Sequence, residues 1–250
     1  YASIKESKFI WKTKNFLSEK IVYKYLNSIS STFKDEGTSK ILNILLKEVS
    51  YLVHMLMNLL SLISESLILI SVSIFMLILE PKIFLPIFIL SFLFLSFFHL
   101  LTKKKILNLS EKRLTSDLLY LKKSSQIIEG FREIIIYNKK KYFFKDYENN
   151  NQSIFDVNWK LELIQKIPRY WLEYIIIIFI ISLLFVLINS NYESSNIPII
   201  LGIVVIAAAR LLPSAAKVFR AYQQLKIYKP SLDIIFKELQ NDFYQIKYQD

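Results

Sequence analysis

The chain has 250 residues, 53% hydrophobic and 21% charged, with a net charge of +11, no cysteine and only three glycines. A mean hydropathy of +0.35, with Phe, Ile and Leu gathered into blocks, excludes an ordinary soluble domain and sets the class as an all-α membrane protein. The missing cysteines exclude disulfides and thiol chemistry. His54 and His99 have no second ligand at metal spacing, so both read as packing or interfacial residues and no metal site is expected.

Residues 1–50 are too polar to span a bilayer. Within 16–33, Val22, Leu26, Ile29 and Phe33 recur at helical spacing, which predicts an amphipathic helix with a lysine-rich outer face. Asp35-Glu36-Gly37 supplies turn chemistry. A second helical pattern starts near Ser39, passes Ile41, Leu45, Glu48 and Leu52, and runs into the first apolar span, residues 51–79. That run is long enough to cross with tilt. Glu65 lies inside it, where a carboxylate facing lipid is expensive, so it is expected to face a bundle interior as partner to a buried arginine. Glu80-Pro81-Lys82 makes a short turn into the second span, residues 83–101, and the two form a tight hairpin.

Residues 102–169 hold 15 Lys and Arg, no proline after Pro86 until Pro168, and Gly130 as their only glycine. This predicts two long helices, one leaving the membrane and one returning, with the turnaround near Glu129–Asn138. Continuous helix from Phe84 to Ile128 would be roughly 65 Å long at about 1.5 Å per residue. Subtracting about 30 Å for hydrocarbon leaves a stalk of roughly 30 Å. The third span, residues 170–188, is introduced by Ile167-Pro168-Arg169-Tyr170-Trp171, an aromatic pair suited to the interface with Arg169 at its boundary.

A short loop without Lys or Arg, 189–196, precedes the fourth span, residues 197–216. Arg210 arrives while the apolar run continues, at an insertion cost of at least about 2.5–3.5 kcal/mol. Such a residue must face protein, a wet cavity or an anionic ligand. Lys217, seven positions on, shares its helix face. Pro213 between them removes a backbone donor and predicts a kink. Two readings stand: a basic stripe along the path of an anion, or Arg210 paired with an acid on a neighbouring helix and Lys217 reaching for the interface.

The lysine-rich segments 1–50, 102–169 and 217–250 contrast with the loops 80–82 and 189–196, which share one lysine. The positive-inside rule then places the long segments and both termini in the cytoplasm, in a multi-pass protein of the plasma (inner) membrane. The chain opens at Tyr1 without a signal peptide and closes in a polar tail, as if excised from something longer. It has no GxxxxGK[ST] loop, no Ser/His/Asp set and no paired catalytic acids, so by itself it is not expected to be an enzyme. The run Lys139-Lys140-Lys141 is expected to serve a solvated or lipid-facing role rather than to bind nucleic acid.

Several motifs resemble the transmembrane half of exporter-type ABC transporters. Phe33-Lys34-Asp35-Glu36-Gly37 resembles the first intracellular turn that docks on a nucleotide-binding domain. Ile128-Glu129-Gly130-Phe131-Arg132-Glu133-Ile134, with the basic and aromatic stretch to Phe143-Phe144, resembles the second, although Ile135 stands where the family often has lysine. Leu79-Glu80-Pro81 resembles an outer turn. Ile167-Pro168-Arg169-Tyr170-Trp171-Leu172-Glu173 and Ala209-Arg210-Leu211-Leu212-Pro213-Ser214 look like the fifth and sixth helices of the lipid-linked oligosaccharide flippase subgroup.

The resemblance implies a single ABC exporter transmembrane domain fragment over 1–250, carrying the third to sixth of six helices. It implies an ATP-hydrolysing translocase at full length, with ATP and magnesium in a nucleotide-binding domain beyond Asp250 and no cofactor here. The implied partners are that domain, a second and identical half, membrane lipids and a lipid-linked sugar substrate. Arg169, Arg210 and Lys217 become the residues that meet the pyrophosphate, with lysine at 217 giving up bidentate geometry. The coupling residues become Phe33, Asp35, Glu36 and Gly37, and Glu129, Gly130, Phe131, Arg132 and Glu133. The competing readings are an exporter of a drug, peptide or other lipid, and a four-span scaffold or channel component without ATP coupling.

Overall fold

The computed structural model describes residues 2–27, 38–79, 81–189 and 197–246, and every regular element among them is helical. Helix α1 spans Ala2–Asn27, α2 Thr38–Asn43, a π-helical turn Ile44–Glu48, α3 Val49–Leu79, α4 Pro81–Glu129, α5 Phe131–Ile136, α6 Lys140–Asn189 and α7 Ile197–Ile246. Phe33, Asp35, Glu36 and Gly37 lie outside the described residues.

Helix α1 begins well before residue 16 and buries a different stripe from the one the spacing suggested. Ile10, Leu17 and Ile21 point inward, at intervals of seven and four residues, while Val22 and Leu26 are exposed. Thr13 and Lys14 interrupt the buried face, which is why the periodicity was hidden in the sequence.

Where α2 passes into α3, the wide turn brings Asn43 and Glu48 together, with Asn43 Nδ2 donating to Glu48 Oε1 over 3.0 Å. Residues five apart do not stack in an α-helix, but five is the bonding interval of a π-turn. Helix α4 runs 49 residues without a break to Glu129, and α6 and α7 run 50 each. Pro81 opens α4 in the first turn, where its missing donor costs nothing. Helix α7 continues through Pro213, so the proline does not end the helix and leaves one carbonyl of the ladder without its usual donor.

The chain divides into two units. The first comprises Tyr1–Met57, Ile106–Leu161 and Leu225–Asp250. Its apolar core joins Ile21, Ile44, Val49, Leu52 and Ile235, and a polar cluster lies in the same unit. Asp117, almost fully buried, accepts from Lys47 Nζ at 2.6 Å and from the Tyr51 hydroxyl at 2.9 Å. Tyr51 stacks on Tyr228 with ring centroids 5.3 Å apart. The buried Arg113 guanidinium lies 4.1 Å from the Tyr51 ring centre and donates to Ser231 Oγ at 2.9 Å. Glu238 receives both Lys24 Nζ at 3.0 Å and the Tyr25 hydroxyl at 2.6 Å.

The second unit comprises Asn58–Lys105 and Glu162–Gln224. Its core joins Met76, Phe84 and Ala207, and aromatic contacts tie its helices together. Phe94 stacks on Trp171 at 5.7 Å, Phe98 meets Phe219 edge-on at 5.9 Å, and His99 meets Tyr222 at 5.2 Å. Leu67, Ile70, Phe92, Phe97, Ile178, Phe185 and Ile206 are nevertheless exposed. Left in water, each would forgo about 1.5–3 kcal/mol of burial, and so continuous an apolar surface belongs in lipid. Among the described residues four helices are long and apolar enough to cross a membrane, within 39–79, 84–129, 140–187 and 198–240.

Candidate functional site

In the second unit, α7 presents two different faces. Ile206, Arg210, Pro213, Lys217 and Arg220 recur at alternating steps of four and three, and all are exposed. Ile203, Ala207 and Leu211 turn to the core instead, with Ser214 and Phe219 buried. The largely apolar stretch of α7 from Ile197 to Arg220 therefore carries three cations on one outward strip.

Glu65, reaching from α3, meets this strip. Lys217 Nζ donates to Glu65 Oε1 at 2.7 Å, and the Ser214 hydroxyl faces the same carboxylate. The expected partner for Glu65 was a buried arginine; the structure supplies Lys217 instead. Arg210 is exposed and makes no ion pair among the described residues, although its charge reaches Glu65. The register between α3 and α7 sets Glu65 against the second basic turn rather than the first. A single carboxylate thus faces two cations, leaving the strip net positive.

Arg169 stands apart. Its Nε donates to Glu173 Oε1 at 2.9 Å, an exposed pair one turn along α6. Such a pair contributes little, on the order of 0.3–0.5 kcal/mol, so it orients Arg169 without consuming it. One turn earlier the Lys166 ammonium, 2.5 Å from Glu162, holds that exposed carboxyl below its ordinary range.

In the first unit, Glu129, Gly130, Phe131, Arg132 and Glu133 form the elbow where α4 turns into α6. The Gly130 N–H donates to the Gln126 carbonyl at 3.0 Å, and a Cβ at Gly130 would stand 3.1 Å from that same oxygen. The absence of a side chain lets the helix end close on itself there. Helix α5 then finishes in a Schellman cap: Lys139 N–H bonds the Ile134 carbonyl at 3.0 Å and Asn138 N–H the Ile135 carbonyl at 3.1 Å. Asn138 takes the left-handed conformation this requires, with φ at 52°.

Ile134 is the buried anchor of the elbow, while Ile128, Phe131, Ile136, Tyr137, Tyr142 and Phe144 are exposed. Beside them lies an open groove lined by Lys123, Glu129, Glu133 and Asp146, among others. The two long helices are braced behind it by Lys123–Asp146 at 2.8 Å and by the Tyr120 and Tyr147 hydroxyls at 3.1 Å. The hydrogen bond shared with Tyr120, with burial second, raises the Tyr147 phenol above its ordinary range. The elbow is thus a short, capped helix carrying an exposed apolar and aromatic knob with mixed charges around it.

Among the described residues no three metal-ligating side chains gather. His54 stacks against Tyr228 at 6.2 Å. The polar cluster around Asp117 was not foreseen from the sequence.

Among the described residues, four membrane-length helices, three of them extended far beyond a bilayer's need, define a multi-pass helical membrane protein. The family described as ABC transporter transmembrane region matches residues 12–209, and the chain belongs to that family. Among solved structures it is similar to a bacterial Atm1-family ABC exporter with ATP bound, with a TM-score of 0.73 at 12% identity over 92% of this chain. At that identity the likeness is one of fold. The chain spans 41% of the length of that exporter chain.

Proposed function

We propose that the chain is the membrane-crossing part of an ATP-driven flippase that moves a lipid-linked oligosaccharide or polysaccharide precursor. The observation that carries this reading is the exposed strip of α7, where Arg210 and Lys217 interrupt an apolar helix two turns apart. Phosphate anions do not cross hydrocarbon unaided, and fixed cations along a wet path lower that barrier. Arg210 and Lys217 attract the pyrophosphate, Arg169 assists from α6, and the isoprenoid tail stays in lipid.

ATP and magnesium act in a nucleotide-binding domain carried beyond residue 250. Its closure pushes on the elbow at Glu129, Gly130, Phe131, Arg132 and Glu133, and on residues Phe33, Asp35, Glu36 and Gly37. A second, identical half completes the pathway. The protein sits in the inner membrane with its termini in the cytoplasm, as the lysine-rich segments favour.

The test is flipping of a fluorescent lipid pyrophosphate in vesicles carrying the full-length protein. An Arg210→Ala, Lys217→Ala double variant is expected to lose at least tenfold in flipping while still hydrolysing ATP. Undiminished flipping would remove their role. Stimulation of hydrolysis by apolar compounds, with no response to the pyrophosphate lipid, would assign the exporter to another cargo.

A further inference from the structure

The second unit holds a half-open apolar cavity of about 660 Å³. All four membrane-length helices line it, including Ser73 on α3, Phe84 and His99 on α4, Phe179 on α6, and Ile203 and Tyr222 on α7. Along α4 the lining runs from Phe84 to His99 and along α7 from Ile203 to Tyr222, which is roughly 22 and 28 Å of helix. Spread over that length, the volume leaves a section of about 25 Å². One hydrocarbon chain, roughly 4–5 Å across from carbon contact distances, fits such a section.

The slot has a polar end. Ser73 is more than nine-tenths buried, and its Oγ makes no hydrogen bond among the described residues. A helical serine ordinarily returns its hydroxyl to the carbonyl one turn back, as nearby Ser71 does to Leu67 at 2.8 Å. Ser73 stands six residues, about 9 Å, before the end of α3 at Leu79. A donor is therefore held ready near the end of the channel opposite His99 and Tyr222.

This slot is not the cation strip. Leu211, Ala215 and Val218 line it, whereas Arg210 and Lys217 are exposed and form no part of its lining. Its lining carries no Lys or Arg, so it is not a second site for an anionic headgroup. The occupant comes from the surrounding bilayer.

We infer that the slot binds one acyl chain of a bilayer glycerophospholipid, whose ester carbonyl accepts from the Ser73 hydroxyl. The lipid is a fixed part of the bundle rather than cargo, so the assignment stands apart from the flippase reading.

The test uses the full-length protein in phosphatidylethanolamine and phosphatidylglycerol vesicles containing a phospholipid with a diazirine in its acyl chain. After illumination, adducts are mapped by mass spectrometry. Labelling is expected at half-buried Leu95, Ile176 and Leu211, reduced at least fivefold by Ala208→Phe, which fills the slot. It is expected to persist in Ala209→Phe, an equal enlargement on the exposed side, and to fall two- to fivefold in Ser73→Ala. Adducts confined to exposed Phe97, Leu101 and Ile178 in the unaltered protein would overturn the inference, as would equal yields in Ala208→Phe. If Ala208→Phe fails to fold, the unaltered map and Ser73→Ala decide. A slot filled by protein from outside residues 1–250 leaves all three positions unlabelled, which also overturns it.

Discussion

Asp117→Ala removes the centre of the polar cluster in the first unit and tests whether that cluster holds the unit together. The carboxylate accepts from Lys47 at 2.6 Å and Tyr51 at 2.9 Å, and it is almost fully buried. Hydrogen bonds to a charged group are worth about 1.5–3 kcal/mol each. Breaking a fully buried pair by deleting one partner costs about 3–5 kcal/mol. Lys47 keeps about a quarter of its side chain in contact with solvent and recovers part of its hydration, which places the expected loss near 3 kcal/mol.

For a protein of this size each kcal/mol moves Tm by about 2–4 °C, so Asp117→Ala should melt roughly 6–12 °C lower. Asp117→Asn keeps an acceptor but not the charge and should fall about half as far. Tryptophan fluorescence of the detergent-solubilised full-length protein reads the shift. Adding Lys47→Met to Asp117→Ala should cost little more, since the stranded cation is removed with it. If both Asp117 variants melt within about 2 °C of the parent, the cluster is not a structural tie and the reasoning fails.

Glu65→Gln leaves Lys217 without its counter-charge. Because Lys217 is largely exposed, the change is worth about 0.5–1 kcal/mol, and the apparent KM for a pyrophosphate lipid should drop two- to fivefold; an unchanged or higher KM counts against the strip as the headgroup site. Phe131→Ala should cut lipid-stimulated ATP hydrolysis several-fold without lowering Tm, since the ring is exposed; equal stimulation in transport assays would free the elbow of a coupling role. Gly130→Val crowds a backbone oxygen already 3.1 Å from a modest Cβ, and the expected cost of about 1–3 kcal/mol should appear as faster hydrogen exchange through Gln126–Ile136.

Much of the architecture could be read before any coordinates. The apolar runs marked four membrane-crossing helices, and Gly130, alone between two distant prolines, marked the elbow. Local chemistry was sufficient for both. Helix α1 was harder, because Thr13 and Lys14 interrupt its inward face and Val22 offered a false one. That Glu65 needed a cation followed from its place in an apolar run, but the choice of Lys217 over Arg210 depends on how two helices 152 residues apart are set in register. Separations of 70 and 66 residues likewise hid the contacts of Asp117 with Lys47 and Tyr51. Arg169 with Glu173 is the opposite case, since an i,i+4 pair is legible in any helix.

The wide turn at Ile44–Glu48 amounts to one surplus residue wound into an otherwise regular rod. Removing a single residue there would heal the ladder to ordinary α geometry while both flanking stretches keep their facing. The same deletion elsewhere in these long helices would swing everything beyond it by about 100°. This junction is therefore where the rod absorbs a change of length without losing its alignment.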